Sequence, residues 1–394
     1  MEMSVTEVIF SFLGGLGIFL YGLKVMGDGL QAAAGDRLRN ILNKFTANPV
    51  LGVLAGMIVT ILIQSSSGTT VITIGLVTAG FMTLKQAIGV IMGANIGTTV
   101  TAFIIGIDLG EYAMPILALG AFLIFFFKRS NINNVGRILF GFGSLFFGLE
   151  FMGDAVKPLA QLEGFRQIIL DMSSHPVYGI LAGVGLTALV QSSSATIGIL
   201  QEFYSQGLVD LKGAIPVLLG DNIGTTITAV LASLAGSLAA KRAAFVHVIF
   251  NVIGVIIFAL FLPVVTHLIG MLQEAWHLKP AMAIAFAHGA FNVTNTLIQL
   301  PFVGALAWLV TKIVPGKDIT EDYKPQHLNK DLVYHAPGVA LQETQKELQN
   351  IGHIVQSMLD DVRNPATMDK KMIKTVQQKH QAVITISDSI CLLY

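Results

Sequence analysis

Two runs of small polar side chains sit inside apolar sequence. Gln64, Ser65, Ser66 and Ser67 interrupt the stretch from Gly52 to Val77, and Gln191, Ser192, Ser193 and Ser194 interrupt Gly179 to Phe203, 127 residues later and in the same frame. A helix broken in hydrocarbon leaves backbone N–H and C=O groups unpaired at high cost, so such a break persists only where it lines a cavity. Small hydroxyl side chains let the backbone approach a ligand. A half-helix restarting near Ser67 or Ser194 would turn the positive end of its dipole toward that ligand. Two such ends suit an anion. Neither run contains Lys or Arg, so the anion's charge must be offset by dipoles and by cations bound with it, which is a physical reason for coupling.

A second pair of motifs follows each run. Asn95-Ile-Gly-Thr98-Thr99 and Asn222-Ile-Gly-Thr225-Thr226 read as a second polar helix break with a flexible glycine. They are rich in the neutral oxygens that small alkali cations accept. Asp221 precedes the second motif, and an intramembrane carboxylate is a functional signal by default; it either touches a cation or faces water. His247 with Asn251, and His288 with Asn292, each share one helical face. Interhelical hydrogen bonding is the simpler role for these pairs, and a pH-sensitive layer behind the site is the functional alternative. The pattern lacks the glutamate of a zinc-binding helix, and the single cysteine, Cys391, offers neither a disulfide nor a thiolate site.

The elements that must position these residues are membrane helices. The 394-residue chain is 53% hydrophobic and 12% charged, against about 25% charged in soluble domains. Apolar runs recur at Val8 to Leu23, Gly89 to Ile107, Ala113 to Phe127, Ile138 to Met152, Ala243 to Val265 and Ala281 to Val314, several near the ~20 residues that span a bilayer. The fold class is therefore all-α and polytopic. The zero formal net charge gives no sign of nucleic-acid binding, and the acidic opening MEMSVTEVIF argues against a cleaved signal peptide.

The chain also repeats itself. Tyr21 to Leu30 matches Phe147 to Val156, Asn48-Pro49 matches His175-Pro176, and both polar motifs recur, at offsets of 126 or 127 residues. From Pro49 to Gln64 is about 15 residues, ~22 Å of helix, enough to reach the membrane midplane but not to cross. Each QSSS segment thus reads as a re-entrant hairpin, leaving seven full crossings. Basic residues gather on the cytoplasmic side. Placing the Arg37, Arg39 and Lys44 loop inside also puts Lys85, Lys128, Arg129, Arg137, Lys241 and Arg242 there, with the N-terminus, the Asp108/Glu111 loop and the Glu150-to-Asp171 loop outside. The repeats then run in opposite senses. Domains follow: membrane region 1–314 (repeats 8–127 and 138–265, an added span 281–314), linker 315–338, and a cytoplasmic helical hairpin 339–394.

Paired QSSS and NIGT motifs resemble the sodium-dependent phosphate cotransporter family (type II, bacterial members included) over about residues 10 to 310. The resemblance implies a cell-membrane symporter of inorganic phosphate and sodium, without other cofactor and without enzymatic activity. Phosphate would be held at Gln64, Ser65, Ser66, Ser67, Gln191, Ser192, Ser193 and Ser194. Sodium or supporting roles would fall to Thr69, Thr70, Thr196, Asn95, Thr98, Thr99, Asn222, Thr225 and Thr226. Asp221 departs from the small residue common in the family. Val248, after His247, replaces an acidic residue that some eukaryotic members tie to a further sodium, which leaves stoichiometry open. The tail resembles the first two helices of a PhoU-like domain. Such bundles need a third helix, so a second copy, a cytoplasmic regulator or further chain is expected against it.

A carrier of another oxyanion or a carboxylate would share this architecture. An intramembrane serine protease would pair one QSSS serine with His247 or His288, whereas the serines here are symmetric duplicates; a channel would show a charge ring or a continuous filter. Topology is testable at once. Single cysteines at Arg37, Lys128 and Glu163, without Cys391, are expected to react with an impermeant thiol reagent in whole cells only at position 163. Labelling at 37 and 128 alone would reverse the assignment.

Overall fold

The computed structural model describes residues 5–35, 48–78, 82–107, 109–234, 236–316, 337–363 and 370–393, with 41, 328 and 333. Arg37, Arg39, Lys44, Asp108 and most of the 315–338 linker lie outside the described residues. Among those described the regular structure is helical. The first copy comprises α1 (Val5–Ala34), α2 (Pro49–Ile63), α3 (Ser66–Thr78), α4 (Leu84–Gly106) and α5 (Gly110–Phe126). The second comprises α6 (Ser130–Val156), α7 (Glu163–Ser174), α8 (Pro176–Val190), α9 (Ser193–Ser205), α10 (Leu211–Gly224), α11 (Thr226–Ser233) and α12 (Leu238–Leu260). Then follow α13 (Leu262–Ala275), α14 (Pro280–Gln299), α15 (Val303–Ile313) and the tail helices α16 (Pro337–Val362) and α17 (Lys370–Leu393).

Among the described residues six segments are long and apolar enough to cross a membrane: Thr6–Ala34, Leu84–Gly106, Ser130–Leu159, Leu211–Ser233, Leu238–Leu260 and Pro280–Ile313. The chain is a multi-pass membrane protein. The remaining crossing expected from the sequence, α5, has 17 residues, about 25 Å, and falls slightly short of the ~30 Å hydrocarbon thickness.

Helices α2 and α8 begin at the expected prolines. The Asn48 side chain accepts a hydrogen bond from the Leu51 N–H at 2.9 Å, capping an end whose first residue has no N–H to lose. His175 provides no such cap. There the amphipathic α7, with no buried residue, meets α8 at a 110° bend, the geometry of a helix lying along the interface before the chain dives inward.

Glycines set the packing. A Cβ on Gly93 would lie 1.9 Å from the Val53 carbonyl oxygen, and one on Gly56 would lie 2.0 Å from that of Val90. In the second copy, Gly220 stands against the Ile180 carbonyl and Gly183 against that of Val217, at 2.0 and 2.1 Å. Small residues four apart let backbones touch in the way membrane helices favour. The contacts Pro49–Gly89, Val53–Gly93 and Met57–Gly97 advance together along both chains, so α2 and α4 are parallel. Ile180–Gly220 and Val184–Gly224 repeat that register in α8 and α10. Had α2 and α3 formed a single crossing, α4 would have returned antiparallel to α2. The parallel register is what a hairpin that enters and leaves on one side requires.

The seam between copies runs the other way. Gly15 meets Gly148 and Met152, Gly22 meets Gly141 and Leu145, and Gly29 meets Asn134 and Arg137, so α1 and its repeat equivalent α6 are antiparallel. Each hairpin also packs on the opposite copy. Ile74 and Val77 of α3 share a core with Ala229, Ala240 and Ala244, while Ile197 and Leu200 of α9 pack with Ala102 of α4 and with Ala283, Ile284 and Ala287 of α14.

The tail helices match the expected hairpin within a few residues at each end. Ile354 and Ile386 are buried there, and Lys379 joins Asp361 and Ser357 across the pair.

Gly93→Ala is expected to destabilise the detergent-solubilised protein by about 1–3 kcal/mol or more, the cost of overpacking. Gly17→Ala, where an added Cβ meets nothing within 4 Å, should leave the melting temperature unchanged. Equal melting of the two variants would show that the α2–α4 contact can relax.

Candidate functional site

Both helical hairpins turn at glutamine. Gln64 (φ 54°, ψ 30°) and Gln191 (φ 58°, ψ 23°) occupy the left-handed region, which disfavours a side chain by roughly 1–2 kcal/mol. The amides offset part of that strain: Gln64 Nε2 donates to the Ile61 carbonyl at 2.6 Å and Gln191 Nε2 to that of Ala188 at 2.7 Å. Helices α3 and α9 restart at Ser66 and Ser193, one residue before the expected Ser67 and Ser194. The reason is local. Ser65 Oγ accepts from the Gly68 N–H at 3.0 Å and Ser192 Oγ from the Ala195 N–H at 3.3 Å, so the second residue of each QSSS is the N-cap.

The two tips line one cavity of about 740 Å³, to which Gln64, Ser65, Ser67, Gln191, Ser192 and Ser194 contribute. Ser66 and Ser193 are buried and do not line it. Sequence alone could not separate these serines, because consecutive residues of a helix point about 100° apart and the phase depends on where the cap falls. Two threonine pairs hold the tips from behind. Thr60 donates to Thr69 at 2.8 Å, and the equivalent Thr187 and Thr196 oxygens lie 3.0 Å apart. Thr101 donates to Gln64 Oε1 at 2.8 Å, whereas its counterpart Thr228 reaches across to Ser67 Oγ at 3.1 Å. The copies are thus tied to each other at the tips. Thr70 is buried with its hydroxyl oxygen unpartnered.

The NIGT motifs depart from expectation. Helix α4 runs unbroken through Asn95, Thr98 and Thr99, and the α10–α11 interruption is confined to Thr225, whose backbone (φ −58°, ψ −27°) is still helical. Gly97 serves packing rather than a break: an added Cβ would lie 2.6 Å from Thr60 Cβ. Thr98, Thr99, Thr225 and Thr226 each donate to a carbonyl three or four residues earlier, which satisfies their hydrogens without unwinding the helix. Their lone pairs remain.

Behind copy one, Asn95 Nδ2 donates to Asn251 Oδ1 at 2.9 Å, and His247 Nε2 lies 3.2 Å from Asn95 Oδ1. The first HxxxN pair therefore touches the NIGT asparagine. The second pair does not repeat this. Asn222 Nδ2 donates to its own helix at the Leu218 carbonyl, and Asn292 Nδ2 to the His288 carbonyl. Among the described residues no hydrogen bond joins a QSSS serine to either histidine, so the base that a serine nucleophile would need is not in place. Nor do three His, Cys, Asp or Glu side chains gather there as a metal centre.

Asp221 is fully buried and accepts from Thr187 Oγ1 at 2.7 Å, its Oδ2 having no protein partner. Copy one has Ala94 in its place. The sequence reading also passed over Lys24 and Asp28, which line the tip cavity from α1. Their signal was available. Both lie in the duplicated block Tyr21–Leu30, one turn apart on a helix, and Lys24 adds a cationic side chain to the lining of the cavity that the tips share.

Thr187→Val should cost more stability than Thr60→Val, about 2–3 kcal/mol against about 1 kcal/mol, because only the former strips a buried carboxyl of its donor. In a melting cycle, Asp221→Ala should remove most of that difference. Additive losses would show that the Thr187–Asp221 bond carries no stabilisation.

The chain is 34% identical over 310 residues to uncharacterized protein YqeW of Bacillus subtilis, covering 79% of this chain and 99% of that one. It is 25% identical over 383 residues to a Salmonella typhimurium protein named "Putative inorganic phosphate export protein YjbB", covering 97% of this chain and 68% of the relative. A shorter stretch of 97 residues is 40% identical to sodium-dependent phosphate transport protein 2A of Rattus norvegicus, 24% of this chain and 15% of that protein. No solved structure matches the chain. Residues 18–154 match the Na+/Pi-cotransporter model and residues 147–271 match it again; with one match on each copy of the QSSS–NIGT unit, the chain belongs to the Na+/Pi-cotransporter family.

Proposed function

We propose that this protein is a secondary active transporter that carries inorganic phosphate together with sodium by alternating access. The single observation that carries the reading is that two equivalent tips, one from each copy, line one cavity. Each tip sets a helix N-terminus beside hydroxyl side chains, an arrangement suited to phosphate oxygens. Ser67 and Ser194, with the tip glutamines and the capping serines Ser65 and Ser192, bind the anion. Sodium takes the neutral oxygens of Asn95, Thr98, Thr99, Asn222, Thr225 and Thr226, with Thr69, Thr70, Thr196 and the Asp221 carboxyl in support. His247 and Asn251 hold the first NIGT helix through Asn95, while His288 and Asn292 are buried without that contact. The antiparallel α1–α6 seam and the parallel hairpin registers support inverted repeats, which place a broken-helix site between two oppositely oriented halves.

Direction need not be built into the chemistry. A symporter moves substrate whichever way the summed gradients favour, so names that say export for one relative and sodium-dependent transport for another fit one mechanism. The N-terminus lies outside and the tail in the cytoplasm, where the hairpin of α16 and α17 is placed to meet a regulator or a second copy.

In proteoliposomes, radiolabelled phosphate uptake is expected to follow an imposed sodium gradient and to vanish when potassium replaces sodium. Ser67→Ala and Ser194→Ala should each raise the phosphate KM about tenfold or more, as for a lost hydrogen bond to a charged group. Ser66→Ala and Ser193→Ala should do much less. Uptake indifferent to sodium would remove coupling, one silent and one dead variant of the Ser67 and Ser194 pair would remove the two-fold site, and competition by excess sulfate or succinate would reassign the substrate.

A further inference from the structure

The tip cavity has a counterpart. A second pocket of about 550 Å³ is lined by Phe146, Leu149, Glu150, Asp154 and Lys157 of α6 and its end. These are the repeat equivalents, at an offset of 126, of Leu20, Leu23, Lys24, Asp28 and Gln31, which line the tip cavity. The same face of the same repeated helix thus opens onto a pocket in each copy.

The two pockets lie toward opposite ends of the α1–α6 pair. In the antiparallel register, Gly15 stands beside Gly148 and Met152 and Gly22 beside Gly141 and Leu145, so Glu150 is level with Gly15. That is nine residues from Lys24, about 14 Å along the axis, and Asp154 lies about 25 Å from the level of Asp28 by the same count. The remaining polar lining agrees. Glu111 at the start of α5 and Lys279 ahead of α14 belong to the second pocket, while the tip cavity takes Gln31 near the far end of α1.

Their charges differ. The tip cavity carries one lysine and one carboxylate, Lys24 and Asp28. The second pocket carries four carboxylates, Glu111, Glu150, Asp154 and Glu202, against Lys157 and Lys279. The sharpest contrast falls at one repeat-equivalent position, lysine in copy one and glutamate in copy two. Lys24 is exposed and makes no ion pair among the described residues, as is true of Glu150. Asp154, by contrast, is paired with Lys157 at 2.7 Å. Gln201 also lines the second pocket; its Nε2 is tied to the Ala102 and Ala281 carbonyls and its Oε1 has no protein partner.

We propose that these pockets are the two mouths of one transport route, with Lys24 selecting the anion at the mouth now open to the tips and Glu150 opposing it at the mouth now closed off. Phosphate is then held more readily from the Lys24 side, and the acidic mouth concentrates sodium, because a pocket lined by one sign of charge raises the local level of the opposite ion. The inference rests on the sodium–phosphate reading of the tips and adds to it a residue pair that makes the two faces unequal.

Two experiments test it. The first is independent of the substrate: in a chain lacking Cys391, Lys24→Cys and Glu150→Cys should react with an impermeant thiol reagent from opposite faces of the membrane. Labelling of both from one face overturns the proposal. The second measures phosphate KM in right-side-out and inverted vesicles. Lys24→Glu should raise KM about fivefold or more at the face where position 24 is labelled, and Glu150→Lys should lower it comparably at the other. Both effects should shrink at high ionic strength, as for a charge within a Debye length of the anion. Lys24→Gln and Glu150→Gln should give intermediate values, which guards against a misfolded reversal. Equal changes at both faces, or none, would overturn the charge assignment. Wild-type vesicles that move no phosphate while the labelling pattern holds would instead refute the substrate reading.

Discussion

Lipid offers no hydrogen bond. Two polypeptide turns set among membrane-spanning helices must therefore find their partners within the protein or from what it carries, and much of this structure meets that demand. The glutamine amides close the ends of the descending helices, the first serine of each run caps the ascending ones, and threonine pairs fasten the tips from behind. The groups left over, chiefly the serine hydroxyls and amide ends of helices α3 and α9, face a shared space. Hydroxyls beside a helix N-terminus are the kind of group a small anion can use.

Close backbone approach is the second condition. With Gly93 and Gly56 seated against carbonyl oxygens, and Gly220 and Gly183 likewise, each half-membrane hairpin is clamped to the full-length helix beside it. Neither hairpin could hold its depth alone, since helices of 15 and 13 residues bury little surface of their own. Packing of each hairpin against the other copy's helices makes the two tips mutually dependent. A displacement of one copy relative to the other must move both tips.

Much of this was legible in the sequence, and the failures have physical causes. The hairpins could be read because a proline start, a length too short to cross and a polar tip each constrain the fold independently. The NIGT helices were misread because a Gly–Thr–Thr run looks like a break, whereas its glycine admits a neighbouring threonine and its hydroxyls fold back onto helical carbonyls. Which serines face the cavity depended on a cap that only the backbone reveals. Lys24 was overlooked because attention to the tips themselves excluded a residue forty positions away that α1 brings to the same space. The asymmetry of the two HxxxN pairs left no trace in their identical spacing.

Helix α5 has a consequence that its own contacts do not suggest. Only Ala113 and Gly120 of its 17 residues are buried, and it lends nothing to the tip cavity. Yet for equivalent helices in one chain to stand antiparallel, the number of crossings that begin with the first and end before the second must be odd. Helices α1, α4 and α5 make three. Without α5 the second copy would enter the membrane in the same orientation as the first, and its tip would descend from the same face instead of meeting its twin. This thin, lipid-facing helix is thus a parity element. Close contact with α6 at Gly120 fixes its place, and its crossing sets the sense in which the second copy runs.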